Sequence, residues 1–161
     1  MTNESAFGAL DAEILRALDA DPTLSVLGLS RTLGVSRNTV HAHLRRLEMS
    51  GALGDVSRRL DPSAMGYDLT AFVQISISQS AADEVFAGLA AIPEVVEVHS
   101  TTGDADLLAK VVARDAAGLR DVTSRLHSVG GVVRTSTVVS LGEVVAYRMS
   151  GLLDRARSSA D

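Results

Sequence analysis

The feature that most constrains this chain is a change in the period of its hydrophobic residues between Leu47 and Leu69. In the first stretch apolar residues recur three and four apart, beginning with Leu10, Ile14, Leu15 and Leu18, which form one face of a helix. From Leu69 the pattern alternates: Leu69, Ala71, Val73, Ile75 and Ile77 share one face, and Thr70, Gln74, Ser76 and Ser78 the other. That is the signature of a half-buried strand. The two periods place side chains on incompatible faces, so no single element type accommodates both. The chain is therefore read as two units of different architecture. They are joined at Asp61 to Asp68 (DPSAMGYD), where Pro, Gly and small polar residues interrupt both patterns. The expected division is 1–60, a linker over 61–68, a second domain over 69–147, and a charged tail over 148–161.

With 161 residues, 46% of them hydrophobic, the chain can build one medium core or two small ones. It has no cysteine, which excludes disulfides, thiolate metal sites and thiol nucleophiles and fits a reducing compartment. The apolar stretches are strand-sized, and Met1 to Ala9 has neither basic residues nor an apolar run. A signal peptide and a membrane span are not expected, and a cytoplasmic location is. The formal charge of −5 runs against nucleic-acid binding, which draws on Lys and Arg. The distribution of charge reverses that reading. From Pro22 to Leu47 there is no Asp or Glu, while Arg31, Arg37, Arg45, Arg46, His41 and His43 all fall there.

Three helices are predicted before Gly51. The first has Asp11 and Glu13 in its first turn and stops at Asp21-Pro22. Ser25 caps a short second helix that Gly34 ends, at a turn suited to positive φ. Ser36 caps the third, with Val35 and Val40 as a hydrophobic staple and Val40, Leu44 and Leu47 inward. Two short helices joined by a Gly-containing turn make a helix-turn-helix. Ala52 to Leu60 then suits a small hairpin, a wing carrying Arg58 and Arg59.

The second half reads as the strand from Leu69, a helix over about Ala81 to Ala91, and a strand from Val95 to Thr101. After a turn at Gly103-Asp104 come a strand over Ala105 to Ala113, a helix capped by Asp115, and a long last strand from Val132 to about Tyr147. The order β-α-β-β-α-β is the ferredoxin-like arrangement, so the fold class is α+β. Both helices must cover one sheet face, which leaves the other for a partner subunit or ligand.

Gly34-Val35-Ser36-Arg37-Asn38-Thr39-Val40, Leu44-Arg45-Arg46-Leu47-Glu48, Gly51 and Leu53 together resemble the helix-turn-helix of Lrp/AsnC (feast/famine) regulators. Leu60-Asp61-Pro62 with Gly66 resembles that family's interdomain connection. Thr102 to Leu108 resembles its Gly-Asp-x-Asp turn, and Gly130-Gly131-Val132 the entry to its last strand. The segments span Ala9 to Val145 in the family's order. Two departures stand out: His43 occupies a position where the family usually has Arg, and Arg37 one where it often has Pro.

The resemblance implies a transcriptional regulator that binds double-stranded DNA. A recognition helix reads base edges from its N-terminal residues, and flanking basic groups hold phosphates. Arg37 suits guanine and Asn38 adenine; Ser36, Thr39, His41, Arg45, Arg46, Arg58 and Arg59 are expected at phosphates. So few contacts per domain imply a homodimer on paired half-sites, and the resemblance extends this to an octamer. Gly103, Asp104 and Asp106 can approach an effector's ammonium group, and Thr135, Ser136 and Thr137 its carboxylate, across a subunit boundary. In the family this region takes amino acids or related metabolites. The same turn is equally explained as a plain Gly-Asp β-turn. An enzyme is not expected: there is no phosphate loop, no His pair four apart and no catalytic dyad, and Asp104 with Asp106 are too few to hold a metal ion. No cofactor is expected. The alternative function is a low-specificity architectural DNA-binding protein without amino-acid sensing.

Overall fold

The computed structural model describes residues 8–53 and 60–158. Its contacts divide the chain into two units, Met1–Arg58 with Val145–Asp161, and Arg59–Val144. The expected wing, with Arg58 and Arg59, lies largely outside the described residues.

The first unit contains α1 (Ala9–Ala20), α2 (Val26–Leu33), α3 (Arg37–Met49) and α6 (Ser150–Ser158). Local chemistry sets the first three. Ser25 Oγ accepts from the Gly28 N–H at 3.2 Å to start α2, and Gly34 closes it at φ 69 in the left-handed region. Ser30 Oγ donates to the Val35 carbonyl at 2.6 Å across the turn, and Ser36 Oγ accepts from the Thr39 N–H at 3.1 Å to start α3. Ile14, Leu29, Val40 and Leu47 form the buried centre, with Leu10, Leu18, Leu33, Val35 and Leu44 packed around them. Burying side chains of this size stabilises by roughly 1.5–3 kcal/mol each. The tail is an element of this unit: α6 lies against α1, buries Leu153 and pairs Asp154 Oδ1 with Arg16 Nη1 at 2.6 Å.

The second unit contains β1 (Leu69–Ile77), α4 (Ala82–Ala90), β2 (Val95–Ser100), β3 (Leu107–Ala113), α5 (Ala116–His127) and β4 (Val132–Val139). The sheet order is β2-β3-β1-β4, and every neighbouring pair is antiparallel. Ala71, Val73 and Ile75 of β1 join Leu107, Ala109 and Val111 of β3 beneath Val85 and Leu89 of α4 and Leu119, Val122 and Leu126 of α5. The opposite face carries Phe72, Gln74, Lys110, Glu97, Ser136 and Val138. Asp61, in the expected linker, caps a 3-10 turn over Pro62–Met65, and the Arg114 guanidinium sits 5.0 Å from the centre of the Tyr67 ring.

The last strand is shorter than its apolar pattern predicts. It ends at Val139, opposite Ala71, with one further bond from the Ser140 N–H to the Thr70 carbonyl; β1 begins at Leu69, so a strand running on to Tyr147 would find no partner there. Leu141, Val144 and Tyr147 are accordingly exposed.

Candidate nucleic-acid interface and ligand loop

The inward stripe Val40, Leu44 and Leu47 turns Asn38, His41 and Arg45 outward, and Arg37, the first residue of α3, is exposed as well. Arg37, His41 and Arg45 are spaced four apart and line one face. Arg37 and Asn38 occupy the first turn, where backbone N–H groups lack intrahelical partners and the helix dipole favours an anion. Ser36 and Thr39 are engaged with one another: their hydroxyl oxygens lie 2.8 Å apart and Ser36 holds the helix start.

Arg46, expected at a phosphate, is committed elsewhere. Its guanidinium donates to Asp11 Oδ2, and His43 donates from Nδ1 to Asp11 Oδ1 at 2.7 Å. The Gly8 N–H adds a third donor at 2.8 Å. Asp11 is fully buried, whereas Arg46 is half-exposed. Burial pushes the Asp11 carboxyl pKa up, but hydrogen bonds from Arg46, His43 and Gly8, together with the Arg46 charge, outweigh it and hold the group below its ordinary value. Reading Asp11 only as a first-turn acid misses this role. The signal was present: Asp11 stands three, four and seven residues before Ile14, Leu15 and Leu18, within the apolar stripe, and a buried carboxylate requires a cationic partner.

In the second unit Gly103 adopts φ +115, with open space where a side chain would begin. The two acids of this turn differ. Asp106 Oδ2 accepts from the Ile77 N–H at 2.9 Å and Oδ1 from Gln79 Nε2 at 2.9 Å, so it ties the turn to the end of β1. Thr101 Oγ1 donates to the Ala105 carbonyl at 2.8 Å and tightens the turn. Asp104 is exposed. Thr135, Ser136 and Thr137 stand opposite Ile75, Gln74 and Val73, so Ser136 points to the open face and the threonines to the helix side. Because β1 separates β3 from β4, the turn and these hydroxyls are about 10 Å apart at ordinary strand spacing. Sequence reasoning also missed an apolar groove of about 530 Å³ between α4 and β2, lined by Phe86, Leu89, Val98, Ser100 and Leu107. Ser100 and Leu107 flank the turn, so the groove opens beside it. Among the described residues there is no cluster of His, Asp or Glu set to hold a metal ion, and no helix is long and apolar enough to cross a membrane.

Comparison with known proteins matches residues 9–53 to a winged helix-turn-helix DNA-binding model and residues 70–150 to the Lrp/AsnC ligand binding domain. The chain is 31% identical over 132 residues to the HTH-type transcriptional regulator FL11 of Pyrococcus horikoshii, covering 82% of this chain and 87% of that one. It is 31% identical over 135 residues to the HTH-type transcriptional regulator LrpA of Mycobacterium tuberculosis, covering 83% and 90%. A feast or famine regulatory protein from M. tuberculosis, solved in complex with L-methionine, superposes with TM-score 0.77 at 31% identity over 86% of this chain and 95% of that one.

Proposed function

Starting from a chain that belongs to the Lrp/AsnC family of transcriptional regulators, and not from an enzyme, we propose that this protein recognises specific operator DNA and responds to an amino acid or related metabolite. The observation that carries the reading is α3: a helix capped at Ser36 whose first turn exposes Arg37 and Asn38, with His41 and Arg45 following on the same side. Arg37 and Asn38 read base edges, while His41, Arg45 and the helix start meet phosphates. Two copies reading half-sites about 34 Å apart, or multiples of that, combine their discrimination. The open sheet face bearing Phe72 and Val138 supports assembly as a homodimer, since a second sheet buries apolar side chains left in water by one chain. The separation of the Gly103 turn from Thr135 and Thr137 favours an effector held between subunits. The effector shifts assembly or DNA-competent states through its affinity difference between them. A cytoplasmic location is part of this proposal.

The test is fluorescence anisotropy of the full chain on its own upstream DNA and on a scrambled duplex, with and without each proteinogenic amino acid. Preference for the upstream DNA that one amino acid alters is the expected result. Equal, weak binding to both, unaltered by any amino acid, overturns the proposal in favour of low-specificity architectural binding.

A further inference from the structure

Of the basic side chains in the acid-free stretch from Pro22 to Leu47, two on α3 turn inward to one carboxylate. Asp11 of α1 is completely buried, and Arg46 and His43 of α3 both donate to it. Arg46 also lies 3.1 Å from His43 Nδ1, so the two basic side chains converge on one carboxylate. Arg45, its sequence neighbour, is exposed and turned to the other side of the helix. An Arg released from Asp11 would be a long cation at the flank of a helix bound along a phosphate-lined groove, where it adds affinity without sequence information.

We infer that Asp11 is a specificity-setting positioning residue: it retains Arg46 and His43 at the α1–α3 contact, so that α3 presents Arg37, Asn38, His41 and Arg45 to DNA and withholds one sequence-blind phosphate contact per domain. This rests on the proposal that α3 is the DNA-reading helix. A buried carboxylate cannot release its guanidinium partner without leaving its charge poorly compensated in the interior, which is what keeps Arg46 in place. The arrangement also fixes the rotation of α3 about its axis, since residues 43 and 46, one turn apart, are held by a single point on α1.

The discriminating quantity is the salt dependence of DNA affinity, which counts phosphate contacts and does not respond to packing alone. Each contact contributes about 0.9 to the slope of log K against log salt, or about 3.5-fold in affinity between about 50 and about 200 mM. The full chain is titrated onto a labelled random-sequence duplex over that range, with circular dichroism confirming the fold of each variant. Arg46→Gln is expected to keep the wild-type slope, Arg45→Gln to lose about one contact per domain, and Asp11→Asn to gain about one through the freed Arg46. If Arg46→Gln fails to fold, the paired substitution Asp11→Leu with Arg46→Met removes both charges while filling similar volume, and it too should keep the wild-type slope. A slope made shallower by Arg46→Gln or by the paired substitution, or an unchanged slope in a folded Asp11→Asn, overturns the inference and leaves α3 as the DNA helix. No change with Arg45→Gln and no salt dependence at all would instead overturn the DNA-reading assignment, and this inference with it.

Discussion

Substituting Gly131 by Ala tests how the second unit closes its core. Gly131 sits at φ +89, and a Cβ built there would fall 2.5 Å from Ala81 Cβ and 2.9 Å from Val85 Cγ2. Neither neighbour has a flexible end to move: Ala81 is a methyl group on the backbone, and Val85 is fully buried. Two costs follow. A left-handed conformation costs an L side chain about 1–2 kcal/mol, and forcing a methyl into an occupied space adds about 1–3 kcal/mol. The sum, about 2–5 kcal/mol, is a large part of the 5–15 kcal/mol that ordinarily holds a domain together. Gly103→Ala supplies the control within the same unit, because Gly103 is also at positive φ, +115, but has no atom within 4 Å of the new methyl. Urea denaturation followed by circular dichroism should therefore show Gly103→Ala losing about 1–2 kcal/mol and Gly131→Ala about 1–3 kcal/mol more. Equal losses for the two variants would refute the steric argument and leave backbone strain as the whole effect.

Other outcomes follow from the same geometry. Because Asp11 titrates below the ordinary carboxylate range in the folded chain, it contributes stability above its unfolded pKa of about 4 that is lost as pH falls through the folded value. Asp11→Asn should flatten the acid limb of a stability-versus-pH curve, and an unchanged limb would contradict the assigned ion pair. Ser36→Ala, which deletes the α3 cap, should cost about 1 kcal/mol in thermal melts, with Ser36→Gly costing only a few tenths. Asp106→Ala breaks two hydrogen bonds to the end of β1 and should destabilise by about 1–3 kcal/mol, whereas Asp104→Ala, at an exposed position, should fall within about 0.5 kcal/mol of wild type. Comparable losses at the two acids would remove the distinction between them. Arg37→Ala and Asn38→Ala should each weaken operator binding by about 1–3 kcal/mol with little effect on scrambled DNA, as read by anisotropy.

What the sequence determined by itself is what neighbouring residues decide among themselves. Ser25 and Ser36 cap α2 and α3, Gly34 closes the turn between them, and Val35 with Val40 packs at the entry, all within a few residues of chain. The alternation of Leu69 to Ile77 likewise picks out its buried face, and the βαββαβ order follows from periods and breakers alone. Tertiary structure decided everything that depends on a distant partner. A last strand running on to Tyr147 has nothing to pair with, because β1 begins at Leu69, a fact no local propensity encodes. The tail becomes part of the first unit only because α1 offers a surface for Leu153 and an Arg16 for Asp154. Asp106 and Asp104 look alike in sequence and are separated by the end of β1, which reaches one and not the other. The same holds for Arg45 and Arg46. They are adjacent and chemically identical, yet a helix turns successive residues about 100° apart, and the position of α1 places a buried carboxylate on one side only. Charge composition can count cations, but which of them remain for DNA depends on what the folded chain has already bound.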